Sequence, residues 1–113
     1  MANSFKNKKA DLTTTDNTTL YTVPTATTTV IKSILVSDDS GSGTTIDVTL
    51  VNSSSAIFSL FKSKSISGNA TTELLTQPLV MEESEVLKVQ SGYANRLHVI
   101  ASILEIRPRE VTS

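Results

Sequence analysis

LYTVPTATTTVIKSILVS, Leu20 to Ser37, places a strand signal on each side of the only proline-centred turn in the first half of the chain. Tyr21 and Val23 lead into Pro24, whose ring fixes its own φ and holds Val23 extended. Beyond the Thr-rich turn, Val30-Ile31-Lys32-Ser33-Ile34-Leu35-Val36 is the most continuous β-branched run of the sequence. It is too short for a helix and reads as a central strand.

Upstream, Ala10 to Thr14 is a weak strand ended by Asp16-Asn17, and Thr18 to Val23 is a stronger one. Downstream, Asp38-Asp39-Ser40-Gly41-Ser42-Gly43 is the strongest loop signal. In Thr44 to Val51, the apolar Ile46, Val48 and Leu50 alternate with Thr45, Asp47 and Thr49, the pattern of a half-buried antiparallel strand. The Asn52 to Ser55 turn then joins it to Ala56–Lys62 as a hairpin. Lys62 to Ala70 is polar; short apolar pieces follow at Thr72–Thr76 and Leu79–Met81, and Leu87 and Val89 share a face of Val86–Gln90. Arg96 to Ile106 is apolar on both faces, with Leu97, Val99, Ala101 and Ile103 on one and Ile100, Leu104 and Ile106 on the other.

About eight short strands at such intervals, without a sustained helical period, predict an all-β fold: a single antiparallel β-sandwich of jelly-roll or Ig-like type. The sandwich is expected over 11–107, between an amino-terminal arm at 1–10 and a carboxy-terminal tail at 108–113. Period-2 alternation puts Val23, Ile34, Val36, Ile46, Val48, Leu50, Phe58, Leu60, Leu87, Val89, Val99 and Ile103 in its core.

Composition supports this. With 113 residues there is room for one core. Ser and Thr make up nearly a third of the chain and aromatic residues only 4%, a bias towards strands and turns. A net charge of −1 gives no footprint for a polyanion, so nucleic acid is not an expected partner. The absence of cysteine removes disulfides, thiolate metal sites and a thiol nucleophile. No apolar run of signal-peptide length follows the first lysines, and the longest apolar window is half of the roughly 20 residues a spanning helix needs. Synthesis in a cytoplasm without export or membrane insertion is expected.

Catalytic and metal signatures are weak. His98 is the sole histidine and lies within a strand with no acid nearby in sequence to orient it. No serine sits in a GxSxG elbow. The Asp38 to Gly43 loop starts like a calcium loop, but its twelfth position is Thr49 and not glutamate. Glu82, Glu83 and Glu85 read as a solvated turn. No enzyme activity, cofactor or metal is expected.

The order MANSFKN, LYTVPTATTTVIKSILVSD, TIDVTLV, SEVLKVQS and a terminal strand ending in LEI resembles small structural proteins of tailed phages, particularly those infecting marine cyanobacteria. The resemblance runs from Met1 to Ile106. It departs at Glu83-Ser84-Glu85, where such proteins commonly carry a Gly-Asp turn. What it implies is a virion component on the capsid, at the neck or along the tail, whose partners are copies of itself and other virion proteins. The alternative is an adhesive fibre module that binds host-surface glycan or protein, but only Tyr93 among the aromatics falls in an expected turn. A small hydrolase ranks third.

The residues add an expectation of their own. A sandwich of this size covers only the inner face of each sheet, yet two strands are apolar on both faces. Ile31, Leu35, Ile100, Leu104 and Ile106 would then form an outer apolar patch, with Phe5 as an anchor on the arm, and a neighbouring subunit of a homo-oligomer would cover it.

Overall fold

The computed structural model describes residues Ala2 to Arg107, and the tail expected at 108–113 lies outside them. Nine strands run in order: β1 (Ala2–Leu12), β2 (Thr18–Thr22), β3 (Thr28–Asp38), β4 (Thr44–Val51), β5 (Ile57–Ile66), β6 (Thr71–Glu73), β7 (Leu79–Met81), β8 (Val86–Ser91) and β9 (Leu97–Arg107). The first sheet has the order β1-β9-β3, and β6 and β7 share the far edge of β3. The second has the order β2-β8-β4-β5. Every pairing is antiparallel.

These pairings are nested: β1 with β9, β2 with β8, β3 with β6 and β7, β4 with β5. The chain is therefore one long hairpin rolled up so that alternate strand pairs fall in opposite sheets, which is the jelly roll and not the Ig order. Its tip is Asn52 to Ser55, where the Asn52 Oδ1 accepts the amides of Ser54 and Ala56, both at 2.9 Å.

The core between the sheets contains Val23, Ile34, Val36, Ile46, Val48, Leu50, Leu87, Val89, Val99 and Ile103, as alternation predicts. Leu60 packs against it half-buried. Phe58 does not belong: it lies across from the buried Leu50, but on an edge strand, and is 53% exposed. Leu12, Leu20, Tyr21, Ile31, Ile66, Leu74, Met81, Leu97 and Ala101 complete the core.

Three departures from expectation have local causes. Of the arm expected at 1–10, residues 2–10 belong to an edge strand of the sandwich itself, since β1 pairs with β9 without interruption from Ala2↔Arg107 to Leu12↔Leu97. Lysines at 6, 8 and 9 suit such an edge, because charge discourages strand pairing there. Next, the polar Lys62 to Ala70 stretch is mostly strand: β5 runs on to Ile66, and two irregularities against β4 break its alternation. At one of them Ser63 has φ 53° and its amide is held by Asp47 Oδ1 at 2.6 Å.

The third concerns Ile31, expected on the outer face and found fully buried. The β3–β9 register runs Ile31↔Ile103 and then Ser33↔Ser102, so Lys32 is an extra residue on β3. Such a bulge shifts the side-chain phase by one position. Ile31 therefore shares the inner face with Ile34 and Val36 despite its odd spacing from them.

Candidate functional site: the outer face of the first sheet

Residues opposite one another on neighbouring strands share a face of a sheet. With Val99, Ala101 and Ile103 turned inward, His98, Ile100, Ser102, Leu104 and Ile106 of β9 face outward. The register then defines crosswise rows. One is Phe5–Leu104–Val30–Val80 and spans β1, β9, β3 and β7. Another is Lys9–Ile100–Leu35–Glu73, with a cation at one end and an anion at the other. Between them, Asn7, Ser102 and Ser33 form a polar row, and the exposed Lys32 stands beside it in the same shallow groove as Phe5, Asn7 and Ser102.

The expected interface residues can now be placed. Phe5 is 74% exposed, Ile100 39% and Leu35 36%, while Leu104 and Ile106 are half-buried, all on this one face. Ile31 is excluded by the Lys32 bulge. Sequence reading missed Val30 and Val80, the second of which is 58% exposed. Alternation in phase with Ile34 and Val36 puts Val30 on the inner face, and Val80 sits in a strand of three residues. The outer face of the second sheet differs. Thr45, Asp47 and Thr49 of β4 meet Lys88 and Gln90 of β8, and apolar side chains appear only in the Val86–Val51–Ile57 row at the hairpin tip.

Beneath the apolar row, Glu105 is buried on the inner side of β9. Its Oε2 accepts the Tyr21 hydroxyl at 2.6 Å, its Oε1 meets Lys6 Nζ at 2.9 Å, and the Tyr21 hydroxyl also lies 2.7 Å from Thr29 Oγ1. Burial pushes the carboxyl up, but hydrogen bonds from Tyr21 and Lys6 outweigh it and hold Glu105 below its ordinary value. Burial and the bond to Glu105 push the Tyr21 phenol up, so it stays neutral. The network joins β1, β2, β3 and β9, and locks the edge strand carrying Phe5.

His98 does have acids beside it in space: Asp11 Oδ1 lies 3.2 Å from Nε2, and Asp39 Oδ2 lies 3.8 Å from Nδ1. Ser37 is its cross-strand neighbour, so one row carries Asp11, His98 and Ser37. Asp11 is within hydrogen-bond reach of the ring and Asp39 is not, and the imidazole and both carboxylates stand open to water.

The acidic loops are absorbed in their own turns. Asp38 Oδ1 accepts the Ser40 amide at 2.7 Å, the Ser40 hydroxyl at 2.9 Å and the Gly41 amide at 3.0 Å. Although burial raises the Asp38 carboxyl, those bonds lower it overall, with a further contribution from the Asn69 amide. Its Oδ2 has no partner of good geometry. Glu85 Oε1 accepts the Glu82 amide at 2.8 Å across the turn where Ser84 takes φ 70°. Among the described residues, no group of three metal-ligating side chains converges, and no helix is long and apolar enough to cross a membrane.

Compared with known proteins, the chain matches no family model and no curated protein.

Proposed function

We propose that this protein is a non-enzymatic structural component of a tailed-phage virion, a capsid decoration, neck or tail accessory protein, that acts through subunit contacts. The observation that carries this reading is the Phe5–Leu104–Val30–Val80 row, an apolar strip across four strands of a face that no part of the described chain covers. Contiguous apolar surface of this kind marks a protein contact. The sequence resemblance supplies the virion setting. An adhesive fibre module is less well supported, because the loop aromatic it would use, Tyr93, already has the Arg96 guanidinium stacked 4.1 Å from its ring centre.

The test is electron microscopy of purified particles with the protein labelled. Multiple ordered copies on capsid, neck or tail are expected. Particles that lack the protein would refute the virion role, and copies confined to a distal fibre tip would favour the adhesive one.

A further inference from the structure

We propose that a second copy of this chain covers the outer face of the first sheet, face to face, about a two-fold axis that runs parallel to the strands between β9 and β3. This deepens the reading above by naming the partner of that surface.

The register selects the axis. A two-fold along the strands exchanges the two edges of the sheet and leaves each crosswise row opposite its own copy. Row Lys9–Ile100–Leu35–Glu73 then meets its reverse. Ile100 falls opposite the partner copy's Leu35, and Lys9 opposite the partner copy's Glu73, twice over by symmetry. In the same way Phe5 falls opposite Val80 and Leu104 opposite Val30. Apolar groups meet apolar groups, and the two charges at the rim meet their opposites. A two-fold along the rows would instead set Lys9 over Phe5 and Glu73 over Val80, leaving the carboxylate on an apolar partner. The bulge puts Ile31 inside and leaves Ser33, Ser102 and the exposed Lys32 between the two apolar rows.

The size of the face is also adequate. Three strands of eleven residues, with the three-residue β6 and β7 sharing a fourth position, lie about 4.8 Å apart and give about 600 Å² per copy, or about 1,200 Å² for the pair, at the lower end of the range of specific dimers. The outer face of the second sheet is mostly polar and offers no comparable match.

Because the chain has no cysteine, one introduced thiol reports one distance. Sedimentation at about 10 μM should show a dimer, which Ile100→Asp weakens at least ~100-fold and Lys9→Glu ~10-fold, each with an unchanged far-UV spectrum. Glu73 also holds the amides of Ile34 and Leu75, so Lys9 is the better site for charge reversal. Spin labels on Ser37→Cys should lie within about 25 Å of each other, as rows facing their own copies require. A monomeric wild type, an unaffected Lys9→Glu variant, or Ser37 labels beyond about 35 Å would each overturn the proposal. A monomer that is nevertheless found in purified particles would sink the dimer and leave the virion role standing.

Discussion

Glu105 shows how a single buried charge ties an edge strand to a core. Its folded-state carboxyl sits below its ordinary value of 4.5. The stability it contributes is therefore fully present above pH 4.5 and is lost as pH falls through the lower, folded value. Tyr21 has the opposite sense: raised above its ordinary 10.0, it contributes fully below that pH and ceases to do so only at stronger alkalinity. Tyr21→Phe leaves a buried carboxylate oxygen short of a donor and should cost about 1–3 kcal/mol at pH 7. Without the Tyr21 donor the folded value moves back toward 4.5, so the variant's acid-induced loss from this group should also be smaller. Urea unfolding between pH 7 and 3 measures both effects, and a Tyr21→Phe curve that overlays the wild type would rule out the network as a stabilising unit. None of this was legible in the sequence, because Lys6, Tyr21, Thr29 and Glu105 come from four strands and meet only through the fold.

At the scale of the element, β9 was the easiest to read and β3 the most misleading. Strict alternation from Leu97 to Ile106 gave the correct faces, since nothing interrupts β9. In β3 the same rule works from Ser33 onward and fails before Lys32, because a bulge leaves no mark in apolar periodicity. Phe58 failed for another reason: its phase matches Leu50, but an edge position decides exposure and the sequence does not announce which strand is the edge. A paired experiment separates the two sides of β3. Ile31→Ala opens a cavity in the core and should cost about 2–5 kcal/mol, whereas Leu35→Ala should cost the isolated subunit less than about 1.5 kcal/mol. Equal losses in chemical denaturation would show that the register across Lys32 is misplaced.

For the whole molecule, the dominant fact is nested pairing. The strands furthest apart in sequence, β1 and β9, are full-length neighbours, so most of the fold closes long loops before it gains contacts. Refolding should accordingly be slow for a domain of this size, in the range of milliseconds to seconds by stopped-flow. The sandwich class was legible because turn signals recur between short strands, and the jelly-roll order was not, since nesting is a property of partners rather than of segments. The alignment of Ala2 with Arg107 has a further consequence. The two ends of the described chain leave the same corner, at the opposite end of the nest from the Asn52–Ser55 tip. A hairpin rolled in this way reads equally well from either end. Joining the ends by a short flexible linker and opening the chain between Ser53 and Ser54 would turn β9–β1 into the innermost hairpin and β4–β5 into the outermost pair. Such a circular permutant should recover the same fold at a rate within about tenfold of the parent, because its mean loop length barely changes.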